Sequence, residues 1–365
     1  MSSSTLATPS RLQQLQDWVK HVLRAPNLKD FSPISGDAGF RQYYRFTCPA
    51  HSPMARDHVT LLAVDAPPAS ENSVQFIAVA QYLARAGIKT PSIFYADTDN
   101  GFLIIEDFGD ELLYKSLTAQ HLPSVDELFH LYKKALHSLL TLQQVPPASA
   151  LIPNYDETLL SHELSLCPEW FIKGLLKYSL DEAQDEVLKS AFKLLIENAT
   201  RQHQSWVHRD YHSRNLIDCA DSTLGVIDFQ GALFGPITYD LASLLKDCYI
   251  YWPQDIVADV AIRAKLLMQQ QGSLPNTLTD AEFLRQFDLM GLQRHLKVLG
   301  IFARLHLRDE KSSYLKDLPR VLRYVVDVTA RYPQLQPLHE LFATQLFPAI
   351  EQQPWFSQAS TELTQ

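Results

Sequence analysis

The chain has 365 residues, 46% of them hydrophobic and 20% charged, which is enough apolar content for a sizeable core and enough length for about two domains. Its 32 Lys and Arg against 41 Asp and Glu leave a formal charge of -9, which disfavours non-specific binding to nucleic-acid phosphates and still permits a local basic cleft for a small anion. A mean hydropathy of -0.12 and the lack of any long unbroken apolar run exclude a membrane-spanning helix.

In chain order, a short polar lead without the basic-then-apolar pattern of a secretory signal precedes residues 11–23. There Leu12, Leu15, Trp18, Val19 and Val22 fall at helical spacing. A turn-rich stretch at 35–39 then leads into an aromatic run at 40–46 and an apolar run at 59–64, which predict two antiparallel strands. A helix over 74–86 stops at Gly87 with Pro91 close behind, and strands are expected at 92–96 and 102–106. Beyond Asp107 the pattern changes to long helical segments at 125–144, 159–178 and 185–204, one strand cluster within 206–229, and more helix from Tyr239 onward. The tail at 351–365 is too polar to be ordered throughout. Cys48, Cys167, Cys219 and Cys248 lie far apart with no C-x-x-C pair, so the reading is a cytoplasmic protein with reduced thiols and neither a disulfide framework nor a zinc site. The expected class is α+β, with a small β-rich lobe at 1–108 and a larger, mainly helical lobe at 109–365, meeting at a cleft.

The chemistry is concentrated in Trp206-Val207-His208-Arg209-Asp210-Tyr211-His212-Ser213-Arg214-Asn215-Leu216-Ile217 and in Leu224-Gly225-Val226-Ile227-Asp228-Phe229. Residues 216–217 and 224–227 flank a polar turn and should pair as a hairpin, which brings Asn215 and Asp228 to one open end. An amide oxygen beside a carboxylate suits Mg2+, which shares its shell with water and nucleotide phosphates. Asp210, five residues before Asn215, can serve as proton acceptor for an attacking hydroxyl. H-x-D-x-x-x-x-N followed by a strand-ending I-D-F is therefore a phosphoryl-transfer signal far more specific than any of its parts. His208 reads as a hydrogen-bonded support of the loop.

These stretches resemble the catalytic and metal loops of the aminoglycoside phosphotransferase and choline kinase-like group, a small-molecule branch of the protein-kinase-like superfamily. Residues 36–45 (GDAGFRQYYR), 65–68 (DAPP), 101–107 (GFLIIED), 235–247 (GPITYDLASLLKD), 296–305 (LKVLGIFARL) and 314–320 (YLKDLPR) extend the likeness to the anomeric N-acetylmuramate and N-acetylglucosamine kinases of cell-wall recycling, over about residues 35–330. The resemblance implies a protein-kinase-like two-lobed fold, ATP, Mg2+ and phosphorylation of the C1 hydroxyl of a free amino sugar. It implies Asp210 as base and Asn215 and Asp228 as metal ligands. The backbone at Glu106 to Phe108 would be the hinge that holds adenine, and Asp240 a buried support of the catalytic loop.

A protein kinase carries a phosphate-binding Lys at the end of its third strand, where this chain has Val64-Asp65-Ala66-Pro67 and no Lys nearby. Alternation places Arg41, Tyr43 and Arg45 on one strand face, so Arg41 or Arg45 is expected to meet the phosphates, helped by N–H groups of the turn around Gly36. Gly231 stands where an acidic residue commonly follows D-F-Q in the sugar kinases, leaving one substrate or metal contact open. For the acceptor, the candidates are Arg214, His212, Gln230, Glu163 and Trp170. Two other readings compete: a phosphotransferase for an aminoglycoside or another small alcohol, and a nucleotide-binding module without catalysis.

Overall fold

The computed structural model describes residues 10–34, 40–56, 59–119 and 122–356. The chain forms two compact units, Met1–Glu111 with Ile217–Gln230, and Leu112–Leu216 with Gly231–Gln365.

In the first unit, α1 (Arg11–Val22) starts on Ser10, whose hydroxyl accepts from the Gln13 N–H and satisfies one of the free donors of the first turn. Its apolar face, Leu15 and Val19, is buried with Tyr44, Phe46, Leu61, Ala63 and Ile104. Those residues come from a five-stranded antiparallel sheet of β1 (Ser32–Ile34), β2 (Gln42–Thr47), β3 (Thr60–Asp65), β4 (Ile93–Asp97) and β5 (Phe102–Glu106), in the order β1-β2-β3-β5-β4. At the end of β3, where a kinase would carry its Lys, Asp65 instead accepts from Arg11 Nη2 at 2.5 Å and clasps α1 to the sheet. Helix α2 (Ser73–Arg85) follows β3, capped by the Asn72 side chain.

Residues 217–230 depart from the sequence reading, which places everything after 108 in the second lobe. They carry most of the hairpin β7 (Leu216–Asp218) and β8 (Leu224–Val226), and backbone pairing ties them to the first unit. Val226 N–H donates to Lys89 O at 2.8 Å and Asp218 N–H to Glu111 O at 2.8 Å. Phe229 stacks on Phe76 of α2 with centroids 5.0 Å apart. Gly225 lets the backbone pass close to Phe108, since a Cβ there would lie 2.4 Å from its ring.

The second unit is mostly helical. The expected helix at 125–144 is two, α4 (Val125–Leu131) and α5 (Lys133–Gln143), after the short α3 (Leu113–Thr118). The segment expected at 159–178 begins as α6 (Glu157–Leu166) and widens into a π-helical stretch, Cys167–Leu175, where Pro168 has no N–H to continue the ladder. Helix α7 (Glu182–Arg201) starts three residues before the expected 185 because Asp181 and Gln184 form a capping box. Strand β6 (Gln204–Val207) pairs with β9 (Leu233–Pro236), and α8 (Tyr239–Leu245) and α9 (Gln254–Gln270) follow. The 30-residue α10 (Asp280–Asp309) is the axis of this unit, packing against α6, α7, α8 and α11 (Leu318–Arg331). At Gly300 it passes so close to the end of α6 that a Cβ would sit 2.3 Å from the Leu166 carbonyl carbon. The polar tail ends in a described helical turn at 354–356, and 357–365 lie outside the described residues.

Candidate active site

The loop 208–215 leaves β6 in the second unit and is fastened from below by two carboxylates. Asp240, near the start of α8, accepts the backbone N–H of His208 at 2.6 Å and of Arg209 at 3.0 Å. Asp247, seven residues on, accepts both the N–H and the hydroxyl of Ser213, at 3.0 and 2.6 Å, on one oxygen. The other oxygen takes the Tyr249 N–H at 2.9 Å. Burial pushes the Asp240 carboxyl up to about 7, against the pull of its two backbone donors. Between these anchors the chain turns sharply: Arg209 has φ of 75°, His212 N–H bonds Asp210 O at 3.0 Å, and Asn215 N–H bonds His212 O at 2.9 Å. His208 is buried and meets Tyr211 edge-on.

Nothing among the described residues hydrogen-bonds the Asp210 carboxylate, although its backbone carbonyl is used twice. Burial pushes this carboxyl up, but Lys297, His212, Arg209 and Arg294 outweigh that and hold it below the ordinary value. The side chain is therefore an ionised acceptor at neutral pH, with lone pairs available to a hydroxyl. Asn215 donates its amide to Asp210 O at 2.9 Å, which leaves its Oδ1 as a hard oxygen donor.

Glu163 braces this loop through Arg209. Arg209 pairs with Glu163, and Lys297 lies 3.0 Å from the same carboxylate and 3.1 Å from the Tyr239 hydroxyl. The other Glu163 oxygen accepts from Tyr155. Burial pushes Glu163 up, and Lys297 and Arg209 bring it below the usual range. Both oxygens of Glu163 are thus spent within the protein, and its place is to hold Arg209. The Arg209 Nη1 also donates to Gly231 O at 3.3 Å, and a Cβ at 231 would be 3.7 Å from that nitrogen. The position thus has room for the missing acidic residue, and Glu163 provides the carboxylate for Arg209. Trp170 is half-buried on the π-helical stretch.

In the first unit, Asp228 has φ of 64°, a strained value for a residue with a Cβ, and accepts from Gln230 Nε2 at 2.6 Å. Gln230 is thereby turned toward Asp228. Of the two arginines expected at the phosphates, Arg45 is committed: its Nε donates to Asp107 at 2.6 Å and its Nη1 to Asp110 at 2.6 Å. Arg41 is different. It is 8% exposed, lies over the Phe76 ring at 4.4 Å and pairs through Nη2 with Glu71 at 3.0 Å. Its Nε and Nη1 are buried and bond nothing among the described residues. Burial raises Tyr43, with Arg41 opposing and Asp228 adding to the rise, so Arg41, Tyr43 and Asp228 are neighbours. Sequence reasoning missed Glu71, because no local pattern links it to a residue thirty positions earlier. At the expected hinge, Glu106 spends its N–H on Ser92 O at 2.8 Å, and its carboxylate lies 3.4 Å from Lys89. The Phe108 ring faces the Lys89 ammonium at 5.6 Å. Gly36 lies outside the described residues.

The sequence pattern of the phosphotransferase enzyme family matches residues 30–272. A Pseudomonas aeruginosa protein named N-acetylmuramate/N-acetylglucosamine kinase is 38% identical over 350 residues, 93% of this chain and 98% of that one. Among solved structures, a Plasmodium vivax ethanolamine kinase superposes with a TM-score of 0.60 at 12% identity, covering 89% of this chain and 92% of that one. An ADP-bound aminoglycoside phosphotransferase does so with a TM-score of 0.54 at 15% identity, covering 89% and 98%. At such identities the structural likeness speaks for the protein-kinase-like fold alone.

Proposed function

Because this chain belongs to the phosphotransferase enzyme family, we propose that it is an ATP- and Mg2+-dependent kinase that phosphorylates a free amino sugar, N-acetylmuramate or N-acetylglucosamine, on its anomeric C1 hydroxyl. Likeness along nearly the whole chain to a kinase whose name states both sugars carries this reading. Its setting would be the cytoplasm, in peptidoglycan recycling.

Asp210 accepts the proton of the C1 hydroxyl as that oxygen attacks the terminal phosphorus. The bond from that phosphorus to the bridging oxygen breaks, and ADP leaves with the electron pair. The donor set fits a magnesium nucleotide: Asn215 Oδ1 and the Asp228 carboxylate are hard oxygens of the kind Mg2+ takes beside phosphates. Bound there, the ion would offset negative charge on the phosphates. The two unpartnered nitrogens of Arg41, kept in place by Glu71 and Phe76, fit a phosphate oxygen and would do the work of the absent strand Lys. With Arg45 already paired, Arg41→Met should raise the nucleotide KM by about tenfold or more while keeping the packing on Phe76. A nucleotide titration of this variant beside Arg45→Met decides between the two arginines: a larger loss at Arg45 reverses the assignment.

Incubation with ATP, Mg2+ and each sugar, followed by phosphorus NMR of the product, tests the reading. Coupling of the new phosphate to the anomeric proton is expected. Phosphate on another hydroxyl removes the C1 assignment, and no turnover of either sugar removes the acceptor class.

A further inference from the structure

Arg214, four residues past Asp210, is held in a way the phosphoryl chemistry does not require. Its guanidinium carbon lies 3.5 Å from the centre of the Tyr249 ring and 4.9 Å from that of Tyr114. An arginine stacked by its faces keeps its N–H groups on the rim, where they form a fork suited to a carboxylate. No carboxylate hydrogen-bonds this guanidinium among the described residues.

The surroundings add both charge and an apolar surface. Tyr249 stacks on Phe302, 6.4 Å between centroids, and Phe302 meets Tyr314 at 5.1 Å. Tyr314 belongs to a 3-10 stretch, Ser312–Asp317, that ends at a buried carboxylate. Asp317 pairs with Arg320 at 3.0 Å, and Arg320 also donates to Cys248 O at 3.3 Å. Burial pushes the Asp317 carboxyl up, and the nearby Arg320, Arg214 and Lys316 oppose that rise. A sugar needs an aromatic surface and a few directional partners, and a surplus of positive charge favours one that carries an acid.

We propose that Arg214 binds a carboxylate carried by the acceptor, and so sets a preference for an acid-bearing amino sugar over its neutral counterpart. This rests on the sugar-kinase reading above. N-acetylmuramate carries a lactyl ether with a carboxylate, and N-acetylglucosamine has a plain hydroxyl in its place. The same cation could instead meet a nucleotide phosphate, and the test separates the two sources.

Initial rates with N-acetylmuramate, N-acetylglucosamine and ATP are compared for the unaltered protein, Arg214→Gln and Arg214→Lys. The ratio of kcat/KM for N-acetylmuramate to that for N-acetylglucosamine should fall about tenfold or more in Arg214→Gln, as expected for a lost hydrogen bond to a charged group. Arg214→Lys should restore part of it, since charge returns without the fork. The methyl ester of N-acetylmuramate should lose a similar factor on the unaltered protein, a measurement that needs no variant to fold. A ratio that changes by less than about threefold, or a loss carried by the KM for ATP, overturns the assignment. If the unaltered protein phosphorylates neither sugar, the sugar-kinase reading fails as well. An unchanged ratio with both sugars turned over removes Arg214 alone.

Discussion

Asp210→Asn is expected to lower kcat by about two to four orders of magnitude, the usual contribution of a positioned general base, while leaving nucleotide affinity within about threefold. The substitution keeps shape and removes only the proton acceptor. The loop should keep its course, because Asp240 and Asp247 hold it through backbone groups and Ser213, and the Asp210 carboxylate takes no part in that. Single-turnover phosphate transfer and a nucleotide titration provide the two readouts. Activity within about tenfold of the unaltered protein would remove the base assignment. A pH profile adds a check of sign. A carboxyl held below the ordinary 3.8 loses its charge only as pH falls through that lowered value, so protonation of Asp210 should put no acid limb on kcat between neutrality and about pH 5.

The largest effect on stability is expected at Asp288 of α10. Its Oδ1 meets Lys246 at 2.5 Å, and its Oδ2 meets Arg331 at 2.5 Å and the Tyr332 hydroxyl at 2.7 Å. Lys246 is 1% exposed and Asp288 2%, so neither can turn to water. Burial holds Lys246 below its ordinary value even beside the acid. Asp288→Ala leaves an ammonium buried without a counter-charge and should cost about 3–5 kcal/mol, a large part of the roughly 5–15 kcal/mol that holds a typical domain together. The paired change Asp288→Leu with Lys246→Met should recover most of that, because two apolar side chains of similar volume remove both charges at once. Urea unfolding of the three proteins tests this. A single variant that loses less than about 1 kcal/mol would mean that water reaches the pair.

How far sequence reached depends on the range of the interaction concerned. Strands β2 to β5 and α1 follow from alternation and helical spacing, which act within a few residues, whereas the three-residue β1 is too short to show a pattern; the loop 208–215 stands out because its residues occur at fixed short offsets. Asp247 was nearly within reach: it follows Asp240 by seven residues, just past the end of α8 at Leu245, so closeness in sequence rather than a shared helix face links the two carboxylates. The Arg41 to Glu71 pair and the Lys246 to Asp288 pair are different. Each joins positions tens of residues apart and leaves no mark on its own neighbourhood. The widening of α6 at Pro168 is a local event, but a helical hydrophobic pattern runs straight through it. Glu163 is another case of distant partners: Tyr155, Arg209 and Lys297 take up its oxygens, and the latter two lie tens of residues away in sequence.

The membership of 217–230 in the first unit has a consequence for the order in which the protein is made. As the chain emerges from the ribosome, the sheet and α2 are complete by residue 106, but the hairpin that bonds to Lys89 and Glu111 and sets Phe229 on Phe76 arrives only about a hundred residues later. Until then Phe76 and Phe108 lack their cover, and a fragment cut at 111 would keep that exposed surface permanently. Neither half can be expressed as a simple contiguous piece. A working first half would need 217–230 grafted back onto it, and the second half would have to bridge the gap between Leu216 and Gly231.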